Sequence, residues 1–469
     1  MLVMACFVLM SGRFPFYFDD AFISFRITEN LKAGYGPFLN KGEAVYSSTS
    51  LMYPFFNLLP ALIHGENWID FIPYWNGLMI ALSFGICLLV SFNQQQISFR
   101  MFLLVILPFL PWIFGHRNLT YANSGLETGL YMLAISACLH LKKLHCFSPW
   151  LIFIRPEGWL AGWALLIENL LIRDKKAILK SSLHIIASLF FWWMAGYTLF
   201  GTPLPQSIFA KANHSIDRIN EIQKGISYAM FAGHLIPFAV FLFAFYRFRD
   251  YRKKVRISLL WTLLYLGFFS FGAAWWPWYL PPLYAAFWYM SLSAGFRILA
   301  DYQLSKLHYY LIFLVIFSWS GRQILSDFPA SLRSSTACRE RMKASRDLAD
   351  YLRKNTSNHS SVLLEPLGMM AWYGPEIRIR DYPGLANPEM AEFLRDLPWK
   401  IPHRLTDSRT DSAILHHFKP EVLVLWPEEE EAFRQTNLFS KDYRISAKLP
   451  YFPEEKRLDS VSVFVRIRS

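Results

Sequence analysis

The chain of 469 residues is 54% hydrophobic and 17% aromatic but only 17% charged, with a mean hydropathy of +0.24; a soluble protein of ordinary composition is excluded and a membrane protein indicated. The net charge of +12 would suit nucleic acid, yet the basic residues fall largely in short clusters between apolar runs and in the tail, the pattern of cytoplasmic loops, so no nucleic-acid partner is expected. Cys6, Cys87, Cys138, Cys146 and Cys338 have no paired spacing and no CxxC, which indicates neither a disulfide framework nor a structural zinc site.

In chain order, Met1 to Tyr17 is apolar but short for a span, contains Arg13 and has no preceding basic residue as a signal peptide would; the reading is a start that lies upstream. Asp19 and Asp20 follow directly. An ionised carboxylate at the edge of hydrocarbon costs on the order of several kcal/mol unless water, a cation or a donor meets it, so the pair reads as functional. Helix N-capping explains one Asp and leaves the other. Residues 21–50 read as a polar, glycine-containing loop, and Leu51 to His64 as an apolar stretch too short to cross, lying along the interface or entering partway.

Further apolar runs fall at about 70–92, 101–115, 124–141, 150–172, 181–199, 228–246, 257–273, 276–296 and 307–320, several of them shorter than the ~20 residues of a perpendicular span. The basic cluster Arg247 to Arg256 is assigned to the cytoplasm, which puts 297–306 inside, and 200–227 and everything after 320 outside. Lys142–Lys143 and the Arg173–Lys176 cluster then both fall inside, so the run between them crosses twice or not at all. Its centre, Ile154 to Gly158 (IRPEG), combines a charged pair with a helix breaker. Two half-helices that dip in and meet there satisfy the charge rule, and broken backbone at that depth is tolerated only where it lines a cavity. Arg155 and Glu157 are therefore placed at a site; the plainer reading is an ion pair that holds two helices.

Beyond residue 320 the composition changes. Residues 340–354 read as an amphipathic surface helix, Ser361 to Leu364, Glu421 to Trp426 and Ser460 to Ile467 as strands, and Glu428 to Glu431 as a solvated helix face. The expected fold is mostly α: a multi-spanning membrane helical bundle over 1–320, with about nine to eleven membrane segments including the re-entrant pair, and a soluble α/β domain over 321–469 on the outer side.

Four polar constellations gather on that outer face in this topology. The first is Asp19, Asp20 and Arg26 with Asn40, Glu43 and the hydroxyl run Tyr46–Ser50. On a helix starting near residue 19, Asp19 and Arg26 share a face, whereas Asp20 points roughly 100° away. Asp19 is thus the better base, and Asp20 its partner, a metal ligand or the cap. The others are Ser124–Thr128 (SGLET) with Glu127, the Arg155/Glu157 pair, and Gly201–Lys211 (GTPLPQSIFAK) with Lys211. Acids, cations and hydroxyls there suit a lipid phosphate: the cations hold the phosphate and one carboxylate deprotonates an acceptor hydroxyl. Glu127 also reads as a helix-start carboxylate, Lys211 as a headgroup-level lysine, and the tryptophans and tyrosines of 275–279 as an interfacial belt. No histidine has ligand spacing, but two acids beside a phosphate are suited to a hard divalent cation, Mg or Mn, at Asp19/Asp20.

The string DDAFISFRITENLKAGYGPFLNKGEAVYSSTS resembles the first external loop of GT-C glycosyltransferases, in particular the terminal arabinofuranosyltransferase-like family, whose stretch runs DDAYISFRYARNL and ends YTS-like. SGLET, RPEG and LPQSIFAK follow in the family's order, and LGMMAWY (367–373) and DYPGL (381–385) match more loosely. The resemblance implies a GT-C fold and transfer, usually with inversion, of a sugar from a polyprenyl-phosphate donor to a glycan, lipid or protein acceptor outside a bacterial cytoplasmic membrane. It implies Asp19 or Asp20 as base and Arg26, Arg155 and Lys211 as phosphate contacts; Glu43, Glu127 and Glu157, from the polar constellations above, complete the expected substrate site. The chain departs from the family at Gly272–Pro281 (GAAWWPWYLP), where relatives carry an acid and an arginine, so arabinose is not implied. A transporter or flippase of a lipid-linked substrate would want inverted repeats, and none stands out; a non-catalytic scaffold of the same fold is the third reading.

Overall fold

A computed structural model describes residues 2–92, 98–116, 118–212, 219–220, 222–224, 235–272, 276–302, 305–357, 360–365, 367–402, 404–451 and 459–467. The chain divides into two compact units: Met1–Tyr17, His64–Trp192 and Ile216–Ser335 form the first, and Phe18–Ile63, Trp193–Ser215 and Thr336–Ser469 the second.

The first unit is helical. Its main helices are Leu2–Arg13, Ile72–Phe92, Phe99–Ile106, Thr128–His140, Trp159–Ile172, Leu235–Arg247, Arg249–Gly267 and Pro281–Asp301, around a core that includes Phe84, Trp112, Ile135, Trp261 and Trp288. Small hydroxyl residues let these helices approach closely and bond across: Ser83 meets Ser136 at 2.7 Å and Ser91 meets Ser293 at 2.9 Å. Among the described residues, four helices are long and apolar enough to cross a membrane: Tyr53–Phe92, Lys175–Phe200, Arg249–Phe271 and Lys306–Asn355. Shorter apolar helices, such as Leu2–Arg13 and Thr128–His140, accompany them.

Several expected runs are broken differently. The run at 101–115 becomes the helix Phe99–Ile106, a 3-10 turn Leu107–Phe109 and a helix Leu110–Phe114, because Pro108 and Pro111 each remove an amide donor. In the 150–172 run, only the second half is an α-helix, Trp159–Ile172; what precedes RPEG is a 3-10 helix, Lys142–Phe153, with Pro149 inside it. Residues 307–320 and 340–354, read as separate elements, lie on a single helix, Lys306–Asn355. The helix runs on through Ser326–Ser331 (SDFPAS), where Pro329 costs it one donor without ending it. The change of composition at 320 alters what the helix faces, not its backbone.

The second unit holds a five-stranded mixed sheet in the order β2-β1-β3-β5-β4, with β1 Ser361–Leu364, β2 Arg378–Asp381, β3 Val422–Leu425, β4 Tyr443–Tyr451 and β5 Asp459–Arg466. β2, β1 and β3 run parallel, while β5 is antiparallel to β3 and β4. The period-2 alternation sorts side chains to two cores. Val362, Leu364, Val422, Val424, Val461 and Val463 pack on one face with Leu348 and Leu352 of the long helix and with Ile23 and Ile27 of the helix Asp19–Lys32. Leu363, Leu423, Leu425 and Phe464 pack on the other face with Met390, Ile414, Phe433 and Phe439. The strands legible in sequence are the three central ones. The two that were not legible, β2 and β4, are the sheet edges, where fewer apolar residues are needed.

The acidic run corrects another expectation. The helix Pro427–Arg434 exists, but Glu429 is fully buried and its Oε2 accepts the Trp426 amide at 3.0 Å. A carboxylate three positions into a helix can reach back to the amide at its start, and here that reach turns it inward.

Asp411 of the helix Ser408–Phe418 is fully buried, with neither carboxylate oxygen hydrogen-bonded among the described residues. Burial, reinforced by Asp407, pushes its pKa from 3.8 up to about 8. A raised folded-state pKa stabilises the protonated fold, so its contribution is lost as pH rises from about 4 to about 8. Asp411→Asn is expected to raise stability by about 1–3 kcal/mol at pH 8 and to leave it nearly unchanged at pH 4.5. Thermal melts of the detergent-solubilised protein at both pH values check this.

Candidate functional site

In the second unit the acid pair opens the helix Asp19–Lys32, whose cap residue Phe18 is extended (φ −75°, ψ 154°) and provides no side-chain cap. Neither aspartate caps its own helix. Asp19 instead receives the start of a different one: the Gly368 amide donates to Oδ2 at 2.7 Å and the Met369 amide to Oδ1 at 2.8 Å, at the first turn of the helix Gly368–Tyr373. Two successive amides, one on each oxygen, fix the rotation of the carboxylate. A Cβ at position 368 would lie 1.9 Å from the Asp19 carbonyl oxygen, so this approach admits only glycine. Asp20 is half-buried and makes no hydrogen bond or ion pair among the described residues.

Arg26 is partly buried. Burial lowers its pKa, opposed by the nearby charges of Glu29 and Glu376. Glu43 sits in an exposed loop and accepts from Asn40 Nδ2 at 2.9 Å. The hydroxyl run stitches this loop together: Ser48 Oγ lies 3.5 Å from Ser24 Oγ, and Ser50 Oγ accepts the Tyr53 amide at 3.0 Å. Tyr46 stacks on Phe200 at 4.4 Å, and its carbonyl accepts the Gln206 amide at 2.7 Å. That bond anchors the helix Gln206–Ala212 that carries Lys211; the Lys211 side chain lies outside the described residues.

In the first unit, Arg155 is extended (φ −148°, ψ 140°) between the 3-10 segment and the PEG turn. Its Nε lies 2.8 Å from Glu157 and 3.3 Å from Glu127, all three side chains being almost fully buried. The guanidinium stands over the Tyr279 ring at 4.6 Å and the Tyr131 ring at 5.7 Å, and donates to the Trp278 carbonyl at 3.4 Å. Tyr265 donates to the Tyr279 carbonyl at 2.9 Å. Gly158 completes the turn because a Cβ there would meet the Leu151 carbonyl at 2.2 Å.

The structure thus brings Glu127, Arg155 and Glu157 into one cluster, and Asp19 onto Gly368 and Met369. Arg26 and Glu43 have other partners within the second unit. Sequence reasoning missed the Tyr131 and Tyr279 rings beside Arg155 and the Trp278 carbonyl it donates to. Tyr131 stands one helical turn beyond Glu127, a spacing that could have signalled it, whereas the aromatic run had been read as an interfacial belt. It also missed Gly368, which lies in the LGMMAWY match. As for a divalent cation, Asp19 directs both oxygens at amides, and among the described residues no group of three or more His, Cys, Asp or Glu converges as metal ligands.

Residues 333–464 match the model of a domain family of unknown function, DUF8728. Over 125 residues the chain is 32% identical to the terminal β-(1→2)-arabinofuranosyltransferase of Corynebacterium glutamicum; the match spans 25% of this chain and 17% of that relative's length. The whole chain superimposes on ArnT from Cupriavidus metallidurans bound to undecaprenyl phosphate, covering 97% of it at 12% identity with a TM-score of 0.62. The apo form of the same protein gives 0.61. Arabinofuranosyltransferase AftD from Mycobacteria matches with a TM-score of 0.51 at 14% identity, over 40% of its length. The fold implied by the sequence resemblance is the fold found.

Arg155→Ala would leave two buried carboxylates without their cation, a loss of about 3–5 kcal/mol. Glu127→Gln leaves the Glu157 contact intact and is expected to cost markedly less. The thermal shift of each variant in detergent checks the order; equal effects would mean that Glu127 carries the cluster.

Proposed function

We propose that the chain is a membrane glycosyltransferase that moves a sugar from a polyprenyl-phosphate donor to a cell-envelope acceptor, a glycan, lipid or protein, with Asp19 as general base and Asp20 beside it. The observation that carries this reading is the Asp19 carboxylate, oriented by two amides within a loop helix that matches the family motif. The shared fold with ArnT, solved with undecaprenyl phosphate, supports a lipid phosphate as the group that leaves.

In this mechanism the acceptor hydroxyl gives its proton to Asp19 while its oxygen attacks the anomeric carbon. The bond from that carbon to the phosphate oxygen breaks, and polyprenyl phosphate leaves with the electron pair. In-line attack inverts the anomeric centre. A phosphate leaves readily, so the step needs cations more than a general acid; Arg26 and Lys211 take that role. Arg155, already opposed by two carboxylates, organises the RPEG turn, which is read as a re-entrant element lining the cavity. The same reading puts the protein in the bacterial cytoplasmic membrane, with the sheet-bearing residues 336–469 on its outer side.

Thin-layer analysis of polyprenyl-phosphate sugars incubated with the purified protein tests this, because only an enzyme consumes donor. Asp19→Asn is expected to lower the rate at least ~100-fold in protein that still elutes as a folded particle, with a smaller loss for Asp20→Asn. Full activity in both variants, or donor moved across vesicles without being consumed, overturns the proposal.

A further inference from the structure

We infer that Gly368 and Met369, in the part of the chain matched by a family of unknown function, are positioning residues for the base, so that this segment sets the orientation and basicity of Asp19. The inference rests on the glycosyltransferase reading above. Three observations converge on it. Both Asp19 oxygens are held by successive backbone amides, at 2.7 and 2.8 Å, a two-point grip that fixes the rotation of the carboxylate as well as its place. The grip exists only because residue 368 lacks a side chain: a Cβ would stand 1.9 Å from the Asp19 carbonyl oxygen, 2.7 Å from its carbonyl carbon and 3.0 Å from Oδ2. The two helices are also packed as one body. Ile23 and Ile27 share a buried core with Leu367, Met370 and Ala371, and Phe22 lies 6.4 Å from the Trp372 ring and 6.2 Å from the Tyr373 ring.

A carboxylate that serves only as a cap needs no particular chemistry beyond accepting. A base must be ionised, aimed and still able to take a proton, and amide donation provides the first two while lowering proton affinity. Loosening the grip should therefore do two separable things: let the carboxylate rotate away from the attacking hydroxyl, and raise the pH at which it ionises. Neither change touches the donor's lipid phosphate.

Asp19→Asn cannot isolate this effect, since it removes base and acceptor together. Gly368→Ala and Met369→Pro leave Asp19 intact; the first forces the segments apart, and the second deletes one donor at a helix position that tolerates proline. Rates of donor consumption are measured against donor concentration and pH for the wild type, both variants and Asp19→Asn, alongside thermal melts. The expected result is a fall in kcat of about tenfold or more with donor KM within about twofold, and an acid limb of the kcat profile displaced to higher pH by about one unit. An unchanged acid limb in a folded variant, whatever its rate, overturns the inference, as does loss of folded protein in both variants, which would make the contact a folding device. An active Asp19→Asn instead overturns the reading of Asp19 as base, which separates the two failures.

Discussion

A carboxylate near the start of the chain and two amides 349 and 350 positions further on form the contact on which the second unit depends. Asp19 and Gly368 are 349 positions apart, so closing that contact costs more chain entropy than any local cap. The cost is offset by burial. Ile23 and Ile27, each worth roughly 1.5–3 kcal/mol when buried, join the core on one face of the sheet. The acid-bearing loop helix is in this sense part of the sheet-bearing domain's interior and not a loop resting on it. The glycine at 368 follows from the same contact, because main chain must approach main chain before the amides can reach the oxygens.

The Arg155 cluster obeys a different rule. A guanidinium with almost no exposure survives only if its charge is met, and here two carboxylates and the faces of two tyrosines meet it. Opposing one cation with two anions leaves little of its field for a further anion. Arg155 sits on an extended backbone between a 3-10 segment and a turn.

Legibility varied with how local the cause was. The three inner strands were read because their apolar alternation is strong on both faces, and the helices of the first unit because apolar runs of that length have few other fates in a membrane protein. The edge strands β2 and β4 carry charged and polar residues at alternate positions and resemble loops until a neighbour supplies the hydrogen bonds. Glu429 was misread because its neighbours are solvated, and only its place three residues into a helix turns it inward. The break in the 150–172 run was announced by Pro156, but its first half being 3-10, with Pro149 inside it, was not.

By itself the sequence determined the membrane class, the break at RPEG, the inner strands and the string of motifs that identified Asp19, Asp20 and Arg155 as residues to watch; each is a property of composition or of neighbours within a few positions. Only the tertiary structure decided what those residues touch. Whether Asp19 caps its own helix or grips another, and why residue 368 has no side chain, depend on segments 349 positions apart meeting, and whether Arg155 is free or twice paired depends on Glu127 and Glu157 turning to it in a buried place. Spacing along the chain carries no record of such a meeting, because the energy that selects it comes from desolvation and packing, which exist only once the fold has closed.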